Sequence, residues 1–228
     1  MRTISKWIPN FWKRERSFSQ LLLALAFFIF FVIPFITEVV YGRIIFLFFY
    51  YLLLTSSTPF LLEKNRSNIT AILFVVPFTI LIIEIIWHSA WTQLLENIFL
   101  LSYFLMLGTI ILFITFDQGR INIRRVQGAV IVYLLIGLIF STIFHSIYII
   151  SSSNTFNGVS GTHKQNFIYY SLCTLTTVGY GDIAPLSPLA RSLSNLEALI
   201  GQLFPAIFIA RLISMEISYE SKRRNIEV

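Results

Sequence analysis

Charge is scarce in this sequence. Only 12% of its 228 residues are Asp, Glu, Lys or Arg, while 56% are hydrophobic. A soluble domain needs a polar skin that such a chain cannot supply, so its natural solvent is a bilayer. Cysteine is nearly absent. The single Cys173 can form no disulfide within the chain and sits in no metal-ligand spacing. No catalytic constellation or metal-ligand cluster stands out, so an enzyme is not expected and no cofactor is implied. Basic residues outnumber acidic ones, 17 to 11. They form no stripe interleaved with aromatics, which argues against a nucleic-acid partner.

What the sequence does have is long apolar runs. About 20 apolar residues are needed to cross roughly 30 Å of hydrocarbon. Six runs meet that need: Ser19–Val40, Ile44–Leu62, Ile69–Trp87, Leu94–Phe116, Val126–Ile150 and Ser192–Met215. Pro34, Pro77 and Pro205 lie inside runs and predict kinks. Lys and Arg gather in alternate connections, at the N-terminus, around Lys64 and Arg66, at Arg120, Arg124 and Arg125, and in the tail. That alternation predicts that both termini face the cytoplasm of a cell membrane.

Between the fifth and sixth runs the character changes. A polar loop from Ser151 leads into Gln165–Thr176, an apolar and aromatic segment too short to span. It reads as a re-entrant helix on the outer side. Thr176-Thr177-Val178-Gly179-Tyr180-Gly181-Asp182 follows it directly. Backbone that is neither helix nor barrel is tolerated at membrane depth only when enclosed by protein or lining a water-filled path. Gly179 and Gly181 permit positive φ, so successive carbonyls can turn the same way. A file of such oxygens can replace the water shell of an alkali cation.

This heptapeptide, with a re-entrant helix before it and a span after it, resembles the potassium-channel signature without a substitution in its core. The resemblance covers about Val126 to Met215. It implies an all-α membrane protein of six transmembrane helices, with the pore helix and selectivity-filter loop between helices 5 and 6. It implies that the carbonyls of Thr177, Val178, Gly179 and Tyr180 line the potassium sites, with Gly181 completing the filter. Val178 and Tyr180 would point their side chains away from the ions, and Asp182 would sit at the outer mouth. One chain would supply a quarter of the filter, so three further copies are the implied partners. Potassium is then the permeant ion.

The expected organisation follows. A basic and aromatic segment (1–18) is cytoplasmic or interfacial, and a voltage-sensor-like four-helix domain covers 19–116. An interfacial linker covers 117–125, the pore domain 126–216 and a cytoplasmic tail 217–228. The linker's Arg120, Arg124 and Arg125 would meet anionic lipid headgroups. The fourth run carries only Glu96 where a voltage sensor needs an arginine ladder, so intrinsic voltage gating is not expected. Glu84 and His88 read as interface-level residues beside Trp87 and Trp91 rather than as a proton-sensitive pair. Fewer than twenty residues follow Arg211, so no attached regulatory domain is expected. A bacterial inner membrane is the candidate location.

Several residues around the filter have two readings. Tyr169 and Tyr170 either form a girdle with Tyr180 of a neighbouring chain or pack as ordinary aromatics. Some channels of the family carry a glutamate where this chain has Cys173, so that support for Asp182 is missing here. Glu197 supports the pore helix from behind or is a paired structural glutamate. Gly201 and Pro205 share a helix face and form a gating hinge or a fixed kink. The carbonyl end of the pore helix is expected to favour a cation beneath the filter. Two alternatives remain for the whole chain: a non-conducting or regulatory membrane module, and a subunit of a potassium transport system.

Overall fold

The computed structural model describes residues 8–32, 89–116, 122–151, 155–159 and 163–224. The second and third expected spans, Pro34, Pro77, Glu84, His88 and Arg120 lie outside the described residues. The chain divides into two compact units, Met1–Ile111 and Leu112–Val228.

In the first unit, helix α1 (Ile8–Phe27) runs into a short π-helical stretch, Phe28–Val32. The helix begins eleven residues before the apolar run does, so the basic segment is helical from Ile8 onward. Phe18, Leu21, Leu25, Phe28, Ile29 and Val32 are buried, a spacing of three and four that marks one helix face. Helix α2 (Ala90–Phe116) begins at Ser89, whose hydroxyl accepts the amide of Trp91. This is the usual way of satisfying an orphan donor at a helix start. Glu96 and Asn97 are both buried.

The second unit is built on helix α3 (Ile123–Ser151). Arg124 and Arg125 form its first turn, with the amide of Arg125 bonded to the carbonyl of Asn122. Strand β1 (Phe156–Asn157), helix α4 (Lys164–Leu175), strand β2 (Ala184–Pro185) and helix α5 (Pro188–Arg224) follow. The two strands pair antiparallel, Phe156 opposite Pro185 and Asn157 opposite Ala184. The carbonyl of Thr155 accepts the amides of Leu186 and Ser187 beside this ladder. Helix α5 opens with Ser187 accepting the amide of Ala190 and with Pro188 at the first helical position, both favoured start signals. It continues to Arg224, well past the expected end of the sixth span.

Among the described residues three helical segments are long and apolar enough to cross a membrane: Ala90–Phe116, Ile123–Ser151 and Pro188–Ser214. At 1.5 Å per residue, 27 residues reach about 40 Å. The chain is mostly helical, with no sheet among the described residues beyond the two-stranded ladder.

The core of the second unit is aromatic. Phe140, Phe144 and Tyr148 of α3 meet Phe156, then Phe167 and Tyr170 of α4, with Ala190 of α5 closing the cluster. Phe156 sits at its centre. Its ring is edge-on to Phe144, Phe167 and Tyr170 at 5.8, 5.5 and 5.3 Å. Edge-to-face contacts of this kind add to the apolar burial. They fix α4 at an angle set by both α3 and the β1 segment.

Candidate functional site

Helix α4 ends at Leu175, and the chain turns into the seven residues singled out in the sequence. The turn is made by α4's own last carbonyls. The amide of Thr176 bonds to Leu172, that of Thr177 to Thr174, and those of Val178 and Gly179 to Cys173. The Thr176 hydroxyl reinforces the turn with a 2.6 Å bond to the Leu172 carbonyl. The fourth carbonyl, that of Leu175, accepts the hydroxyl of Tyr133 on α3 at 3.1 Å.

Beyond the turn the backbone alternates. Thr177, Gly179 and Gly181 have φ of 59°, 60° and 82°, whereas Val178 and Tyr180 are not in the positive-φ region. Glycine adopts this conformation freely; threonine does so at a cost of roughly 1–2 kcal/mol. Alternation of this kind turns successive peptide carbonyls to the same side of the chain. A methyl added at Gly179 or Gly181 would meet nothing within 4 Å. These two glycines are therefore required by their dihedral angles and not by crowding. The positive φ of Thr177 was not foreseen, since a β-branched residue gives no local signal for it.

The segment leaves large side chains uncovered. Val178 is 53% and Tyr180 70% exposed within this one chain. The ring of Tyr180 stacks on Tyr169 of the same chain, 6.3 Å between centroids and 2° from parallel. The Tyr169 hydroxyl also hydrogen-bonds Asp182, which holds its phenol above the usual tyrosine value. Asp182 thus has a tyrosine partner, while the position four residues before Thr177 is held by Cys173 and offers no carboxylate.

Tyr170 does not join this group. Neighbouring helical residues point about 100° apart, so both tyrosines cannot face the same surface. Tyr170 is buried in the aromatic core, its hydroxyl 2.5 Å from that of Ser194 on α5. Within this one chain Tyr169 stacks on Tyr180, and Tyr170 anchors α4 to α5.

Glu197 is fully buried and hydrogen-bonded to the Ser171 hydroxyl on α4. The same hydroxyl lies 2.6 Å from the carbonyl of Gly137 on α3. Gly201 abuts Leu175, the last residue of α4. Pro205 lies inside α5. The sequence reading missed Ser171, Tyr133, Gly137 and Gly158. Ser171 is one of several polar residues in α4, any of which could have been weighed as the partner that buried Glu197 needs. Gly158 follows Asn157, a turn-forming pair. It has φ of 80°, and a methyl there would collide with the carbonyl oxygen of Asp182 at 1.8 Å.

Comparison with known proteins bears on this region. Residues 132–217 match a family model described as an ion channel, which takes in most of α3 and α5 and everything between them. The likenesses support a potassium-channel-like family. Over 93 residues the chain is 34% identical to the inward rectifier potassium channel Kirbac3.1 of Paramagnetospirillum magnetotacticum, covering 40% of this chain and 31% of that protein. Over 60 residues it is 35% identical to Protein LctB of Geobacillus stearothermophilus, covering 26% of this chain and 40% of that protein. The chain thus spans less than half the length of either relative. No solved structure matches it.

Proposed function

We propose that this protein is a potassium-selective channel in which four copies of the chain bring their 177–181 segments together around one axis. The observation that carries the reading is the alternating backbone. Positive φ at Thr177, Gly179 and Gly181 suits a segment whose carbonyls serve as a file of cation ligands. The exposure of Val178 and Tyr180 suits it as well, since neighbouring copies would cover them. So does the surface of α5, which is left mostly uncovered within one chain, whereas α3 is mostly buried.

In this reading six spans cross the membrane, α4 is the re-entrant pore helix, and α3 and α5 are the outer and inner helices of the pore. Potassium sheds its water against the carbonyls of Thr177, Val178, Gly179 and Tyr180. Asp182, held by Tyr169, forms the outer mouth. The first four spans carry no arginine ladder and do not sense voltage.

The test is ion flux in liposomes containing the purified full chain. Potassium flux far above sodium flux is the expected outcome. Equal flux of the two ions defeats the selectivity claim, and a monomer in native mass spectra of the conducting protein defeats the fourfold one.

A further inference from the structure

The contact between α3, α4 and α5 contains a proton count that an ionised Glu197 does not satisfy. The Ser171 hydroxyl is fully buried and touches two acceptors, the Gly137 carbonyl at 2.6 Å and Oε1 of Glu197. A serine hydroxyl has one hydrogen to give. Given to an ionised Glu197, it leaves the Ser171 and Gly137 oxygens 2.6 Å apart with nothing between them. Given to Gly137, it leaves a bare carboxylate oxygen against the serine oxygen. Both contacts are made only if Glu197 brings a hydrogen of its own.

The surroundings of Glu197 agree. Its Oε2 is buried and has no hydrogen-bond partner among the described residues. An ionised carboxylate would leave half its charge there with no donor, a heavy penalty in an apolar setting. The same atom as the carbonyl oxygen of a neutral acid costs far less. Among the described residues two ionisable groups face the site from the packed helices, Tyr133 of α3 and Tyr170 of α4. Neither brings positive charge. The Tyr133 hydroxyl donates to Leu175, and that of Tyr170 is engaged with Ser194. On α5 itself, Arg191 bonds through Nε to the Pro185 carbonyl, and Arg211 is exposed.

We propose that Glu197 is a positioning residue that acts as a neutral carboxylic acid. It donates to Ser171, Ser171 donates on to Gly137, and this relay pins α4 between α3 and α5. The loop that begins at Thr176 is held in place through α4. Loss of the proton breaks one link of the relay and puts a negative charge inside it. Under the channel reading, on which this consequence rests, potassium flux falls at alkaline pH.

The deciding measurement is infrared spectroscopy on the purified full chain at neutral pH. The parent is expected to show the carbonyl stretch of a protonated, hydrogen-bonded carboxylic acid that disappears in Glu197→Gln. Ser171→Ala, which removes the acceptor, should shift that band toward the position of a free acid. Absence of a band specific to Glu197, or a band indifferent to Ser171→Ala, overturns the proposal. Flux supplies a second arm. Glu197→Gln retains a donor and should keep the parent's potassium flux while losing the alkaline decline; Glu197→Ala should lose most of the flux. A Gln variant as impaired as the Ala variant also overturns it. The infrared arm needs no conduction, so failure of the channel reading and failure of the relay are told apart.

Discussion

A methyl group placed on the α-carbon of Gly201 would lie 1.9 Å from the carbonyl oxygen of Leu175. Helix α5 therefore passes the end of α4 backbone against backbone, and no side chain fits between them. The flexible-hinge reading of Gly201 makes it a swivel; this contact makes it a point of close approach. Gly201→Ala is expected to push the end of α4 aside and destabilise the fold by roughly 1–3 kcal/mol, the usual cost of overpacking. Thermal unfolding of the purified protein measures this. A hinge role alone would leave the unfolding midpoint unchanged and alter only the opening of the pore.

Gly158 and Gly181 make a matched pair. Both have φ near 80°, yet a methyl at Gly158 meets the Asp182 carbonyl oxygen at 1.8 Å while one at Gly181 meets nothing within 4 Å. Gly158→Ala should therefore lower the unfolding midpoint more than Gly181→Ala does. Gly181→Ala should act chiefly on ion selectivity, through the backbone angle it disfavours. The order of the two midpoints, with the sodium-to-potassium flux ratio of each variant, checks both statements.

Tyr169 offers a pH test. Its hydrogen bond to Asp182 raises the phenol's pKa, so the bond's contribution is fully present below the unfolded value, about 10, and is lost as pH rises through the folded value. Tyr169→Phe keeps the ring stack on Tyr180 and removes the bond. The difference in stability between parent and variant should be steady from about pH 7 to 9 and shrink only above about 10. A difference that vanishes within the lower range would show that the phenol does not hold Asp182.

Voltage should have little effect on opening. The α2 helix carries only Glu96 as a charged side chain, and Arg124 and Arg125 stand in the first turn of α3. One charge crossing the field is worth about 2.3 kcal/mol per 100 mV, and steep gating needs several such charges. Single-channel recording without blocking ions should show a shallow dependence of open probability on voltage. A steep curve would mean that charge moves elsewhere in the chain.

The sequence announced some of these elements closely. The short segment expected at Gln165–Thr176 is a helix over Lys164–Leu175, and the run at Val126–Ile150 lies within Ile123–Ser151. Long apolar stretches and the glycine-punctuated heptapeptide are strong local signals. The pairing of Phe156 with Pro185 was illegible, because strands of two residues have no periodicity to read. The division of labour between Tyr169 and Tyr170 was legible in principle from helical geometry alone. Neither the hinge nor the kink reading of Gly201 contains its approach to Leu175, since an isolated sequence shows that a side chain is missing but not what occupies its space. Glu197 is unusual in an apolar run and calls for a polar partner, but only the packing of α4 against α5 singles out Ser171 among the polar residues of α4.

The end of α4 has an electrostatic consequence. A helix terminus attracts cations because its last carbonyls are left without donors. Here the carbonyls of Leu172, Cys173 and Thr174 are taken by backbone amides of the following turn, and that of Leu175 by a phenol. The negative pole is thus largely neutralised within the subunit that creates it. Under the proposed channel reading, an ion resting beneath the loop would meet few free carbonyl oxygens from the end of α4, and the work of holding it would fall to the peptide oxygens past Thr176.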